Sequence, residues 1–103
     1  MAEFFDEKMI RHLNDRQRPV LDRLKAILTQ ADQLAAQSFK KPELPRDVEQ
    51  ARISLEQIIN TVVVTMASSP NFVPTDSDLA EVREAEQALQ RTILRLSDRE
   101  GRA

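Results

Sequence analysis

Few side chains in this chain could carry out covalent or acid–base chemistry. His12 is the single histidine and cysteine is absent, so Cys-His nucleophiles and thiolate metal sites are excluded. A Ser-His-Asp triad would have to use His12. The serines (Ser38, Ser54, Ser68, Ser69, Ser77 and Ser97) have no flanking glycines of the nucleophile-elbow kind. His12 stands beside Arg11 and Leu13 and reads as a surface histidine of a helix.

Metal ligands are no better supplied. A di-metal helix bundle needs Glu-x-x-His pairs, and the residue three before His12 is Met9. Asp15, three beyond His12, has no complementary pair. Asp76, Asp78 and Glu81 resemble a calcium loop only in charge, because the central glycine and distal glutamate are missing. Helix capping accounts for them better, with Asp78 as cap and Glu81 three residues on. The sequence therefore predicts no enzyme and no cofactor.

Polyanion binding has a modest signal. Lys8, Arg11, Arg18, Lys25, Lys40 and Lys41 could form a basic edge, and Arg11, Arg18 and Lys25 share a face if one helix carries all three. Asp15 and Asp22 interrupt that edge, and the four aromatics are all phenylalanine without an RNA-binding motif. The chain has 15 basic and 17 acidic side chains, net −2, which is not the balance of a general phosphate binder. The charge is uneven: residues 1–46 carry nine basic and seven acidic groups, residues 47–103 six and ten. Opposite net charges of the two halves could orient self-association.

The positive signal is apolar. Ile58, Ile59, Val62, Val63, Val64, Met66 and Ala67 cover more of a helix than one buried stripe needs. That run is either a central helix wrapped by others or an interface. Phe72, held with Val73 between Pro70 and Pro74, is a second contact candidate or else a plug at the end of the bundle. The surface expected to meet a partner or a second copy is therefore Ile58, Ile59, Val62, Val63, Val64, Met66 and Phe72.

The elements that would position these residues follow from punctuation and period. At 103 residues with 41% apolar content the chain predicts one domain, spanning 1–103. Pro42 with Pro45, and Pro70 with Pro74, mark connections between segments 3–40, 46–69 and 76–99. Phe5, Met9, Leu13, Val20, Leu24, Ile27, Ala31 and Leu34 recur at helical spacing. Pro19 interrupts them and predicts either a kink or a short helix, a turn at the polar run 14–18 capped by Asp15, and a second helix with Pro19 in its first turn.

Val48, Ala51, Leu55, Ile58, Ile59, Val62, Val63 and Met66 give a second helix, despite the β-branched run from Ile58 to Thr65. No second strand-like run exists to pair with it. Leu79, Val82, Ala85, Leu89, Ile93 and Leu96 give the third stripe. The expected fold is an all-α bundle of three long segments, or four helices if the chain breaks near Pro19. Leu24, Ile27, Leu55, Ile59, Val62, Leu89 and Ile93 are its expected core.

The longest uncharged stretch, Gln57 to Thr75, is too polar for a membrane span. The acidic start lacks the basic region of a secretory leader. These features predict a cytoplasmic protein that does not cross a membrane. The functional expectation is a non-enzymatic protein–protein interaction module, a regulator, adaptor or inhibitor, and a homodimer. The alternative is a nucleic-acid-associated regulator using the basic edge of residues 8–41.

Overall fold

The polar run before Pro19 ends one helix and starts another. In the computed structural model, which describes residues 7–39 and 43–101 (the side chains of 99–101 excepted), α1 spans Glu7–Arg11 and α2 spans Arg18–Ser38. Pro19 sits in the first turn of α2, where its missing N–H is one the helix would leave unpaired anyway. Of the two expectations for Pro19, the break is the one observed. The turn is capped by Asn14 rather than Asp15: Asn14 Oδ1 accepts from the Arg16 and Gln17 N–H groups, both at 3.1 Å. Phe5, Lys40, Lys41 and Pro42 lie outside the described residues.

α3 runs Arg46–Ser68 and α4 runs Ala80–Gly101. The β-branched run is helical throughout, and no strand occurs among the described residues. Thr61 Oγ1 donates to the Gln57 carbonyl at 3.0 Å and Thr65 Oγ1 to the Thr61 carbonyl at 2.8 Å. Each hydroxyl thus satisfies itself within the helix, the usual accommodation of threonine there. Tertiary burial overrides the weak local strand preference.

α3 is the central helix. It packs most extensively on α4, and it also touches α2 and α1, while α2 packs on α4. Leu24, Val48, Leu55, Ile59, Met66 and Ile93 are fully buried, with Val63, Val82 and Leu89 scarcely more exposed. Of the expected core, Ile27 and Val62 lie at its edge, half-buried. The buried face of α2 comprises Val20, Leu21, Leu24, Leu28, Ala31 and Ala35. Leu21, Leu28 and Ala35 take inner positions beside the predicted stripe, and Ile27 and Leu34 flank it. α2 and α3 are also tied by Arg52, which pairs with Asp32 across the helices and with Glu56 at 2.7 Å one turn on. The hydrogen bond to Asp32, together with the nearby carboxylates, raises the Arg52 guanidinium pKa above its ordinary value.

Candidate functional site

Among the described residues one polar side chain is buried, and it lies against the end of α3. Gln17 has no exposed surface. Its Nε2 lies 2.9 Å from the Met66 carbonyl, 3.0 Å from that of Ser69 and 2.9 Å from that of Phe72. Its Oε1 accepts the Asn14 N–H at 3.1 Å. Two amide hydrogens serve three carbonyls, so one hydrogen is shared. The last carbonyls of a helix lack the usual partner within it, and that of Met66 accepts both Gln17 Nε2 and the Ser69 N–H, the latter at 3.3 Å. Asn14 Nδ2 adds a 2.7 Å bond to the Pro70 carbonyl. The α1–α2 turn therefore holds the 69–72 loop in place, and with it Phe72.

The start of α4 is fixed by a second local device. Asp78 Oδ2 accepts from the Thr75 N–H at 2.9 Å and from Thr75 Oγ1 at 3.0 Å, while Thr75 Oγ1 lies 3.4 Å from the Asp78 N–H. This is a capping box in which Thr75 is the cap and Asp78 the third residue beyond it. The expectation of Asp78 as cap with Glu81 as its partner was thus displaced by one turn: a threonine hydroxyl at 75 can make both bonds, leaving Glu81 unused.

These two devices frame an open groove of about 330 Å³ between the outer side of α3 and the first turns leading into α4. Ile58 and Val62, one turn apart on α3, form its floor with Phe72. All three are half-buried and packed against the core. Gln57, Thr61 and Thr65 line one side, and Asp78 and Glu81 the other. Asp78 is engaged in the capping box, whereas Glu81 makes no hydrogen bond or ion pair with any described residue. Among the described residues no basic side chain lines the groove.

The expected contact residues divide between inside and outside. Ile58, Val62 and Phe72 meet in the groove, and Val64 is 41% exposed on another face of α3. Ile59, Val63 and Met66 are instead core residues with at most 1% exposure. As the chain is folded, they are not a contact surface. The apolar excess of the run is absorbed mainly by α1, α2 and α4 around α3.

The basic edge is also altered. Lys8, Arg11, Arg18 and Lys25 are all exposed, but α1 ends at Arg11 and six non-helical residues precede Arg18. The seven-residue register linking Arg11 to Arg18 is therefore lost, and only Arg18 and Lys25 keep it, on α2. His12 is exposed, and no serine or carboxylate bonds to it among the described residues. Among the described residues there is also no cluster of three metal-ligating side chains and no helix long and apolar enough to cross a membrane.

Gln17 is the residue that sequence reasoning missed. A signal existed: the apolar series steps by seven from Leu13 to Val20, and Gln17 fills the skipped inner position. No protein-family model matches this chain, and neither a curated protein nor a solved structure matches it significantly.

Proposed function

We propose that this chain is a non-enzymatic protein-interaction module whose binding surface is the groove floored by Ile58, Val62 and Phe72. The observation that carries the reading is an accessible apolar floor on a rigid support. Two of the floor residues stand on the central helix, and the third is held by a fully buried hydrogen-bonded glutamine. Apolar anchors seated in preformed concavities are what helix-in-groove recognition uses. A regulator, adaptor or inhibitor that occupies a partner's segment fits this surface.

The test is a selection from a displayed library of random helical peptides. Selected peptides should shift the amide resonances of Ile58, Thr61, Val62 and Phe72. They should lose binding to Thr61→Arg, which fills the groove from an exposed position. A selection without binders, or binders indifferent to Thr61→Arg, overturns the reading.

A further inference from the structure

The groove is apolar at its floor and acidic at one wall, and its charge is not internally neutralised. Asp78 and Glu81 face it from the α4 side, and among the described residues no lysine or arginine lines it and Glu81 has no partner. A carboxylate beside an apolar floor selects a ligand by its flanking charge, since opposite rim charges favour the encounter and like charges disfavour it. From this we infer that the groove takes a basic amphipathic helix of another protein, with an apolar side chain seated on Ile58, Val62 and Phe72 and a lysine or arginine paired with Glu81.

The inference rests on the reading of the groove as a binding surface and adds the chemical class of its occupant. It also separates the candidates for that occupant. A nucleic acid would bring phosphates against Glu81 and Asp78. A second copy docking groove to groove about a two-fold axis would bring no lysine or arginine of the described lining to Glu81, because the same lining residues face each other across such an interface. A cationic helix has neither penalty.

Two labelled peptides serve as probes, with the same leucine face and either lysines or glutamates on the polar face. Fluorescence anisotropy should show the lysine peptide binding and the glutamate peptide not. Charge reversal by Glu81→Lys should weaken the lysine peptide about fivefold or more. The same net change at Asp22→Lys, an exposed α2 position outside the groove, should leave it within about twofold, the scale of a screened distant charge. Thr61→Arg should abolish binding.

Equal binding of both peptides, or equal effects of Glu81→Lys and Asp22→Lys, overturns the inference. If both peptides bind and both are lost with Thr61→Arg, the groove remains a binding surface and only the charge class fails. If neither designed peptide binds, the inference also fails. The library selection then decides the broader reading, which falls only if it yields no groove binder.

Discussion

Gln17 Nε2 lies 2.9 Å from the carbonyl oxygen of Met66, joining residues 49 apart in the chain through a site closed to water. The bond closes the end of α3 and, through the same nitrogen, fixes the loop that carries Phe72. Gln17→Leu leaves the Phe72 carbonyl and the Asn14 N–H without these partners, while the Met66 and Ser69 carbonyls keep the N–H groups of Ser69 and Phe72. An unsatisfied buried polar group costs about 1–3 kcal/mol, so the variant should lose about that in urea unfolding.

The isosteric change Gln17→Glu gives a sharper readout. A carboxylate facing three carbonyls is destabilised when charged, so its folded-state pKa must rise above the unfolded value of about 4.3. The raised pKa places the variant's best stability relative to wild type below the unfolded value, and that stability is lost as pH rises through the folded one. Unfolding curves at pH 4 and pH 7 check the sign: the gap from wild type should widen with pH.

The fold was legible wherever one face of a helix had to be apolar. Leu55, Ile59, Leu89 and Ile93 were readable as core from their spacing alone, and all four are buried. The break at Pro19 was readable because proline and a polar run coincide. What periodicity could not rank was the inside of a wide apolar arc. Val63 and Val64 are adjacent and chemically identical, yet one is 1% exposed and the other 41%, because the positions of α1, α2 and α4 around α3 decide it. Gln17 was hidden for a different reason: its value depends on carbonyls at residues 66, 69 and 72, which no local pattern brings near. The groove needed the tertiary fold as well, since Ile58, Phe72 and Glu81 come from three separate stretches of chain.

The capping box makes a separable prediction at the start of α4. Thr75→Ala removes the hydroxyl that bonds Asp78 and should cost about 1 kcal/mol, the usual loss on truncating a helix cap. Thr75→Ser keeps the oxygen and should cost a fraction of that. Chemical denaturation of the two variants distinguishes this arrangement from one in which Asp78 itself is the cap, where Thr75→Ala would be near neutral.

Leu55 and Leu89 face the interior from α3 and α4, the two helices that pack most extensively. Leu55→Ala and Leu89→Ala should each destabilise the fold by about 2–5 kcal/mol through lost burial and the cavity left behind. The helix content by circular dichroism should survive at low temperature, and the loss should appear as a lower urea midpoint. A change below about 0.5 kcal/mol, the scale of an ordinary surface substitution, would mean that the residue is not packed as described.

The valine pair tests the placement of the central helix and the expectation of self-association together. Val63→Glu puts a charge into the core with no partner, and the protein should fail to fold, since an unpaired buried charge is too costly to retain. Val64→Glu points into solvent and should stay folded within about 0.5 kcal/mol of wild type. With Ile59, Val63 and Met66 withdrawn into the core, a homodimer through the valine-rich helix would use Ile53 and Val64, 43% and 41% exposed, or the half-buried Ile58 and Val62 of the groove. Light scattering of wild type at micromolar concentration reads the assembly against a chain mass of 11.8 kDa. A dimeric wild type converted to monomer by Val64→Glu would place the interface on that face. A dimeric mass unchanged by Val64→Glu would move the interface off it. If both charges unfold the chain, Val64 is covered from within, and the outer face of α3 is misassigned.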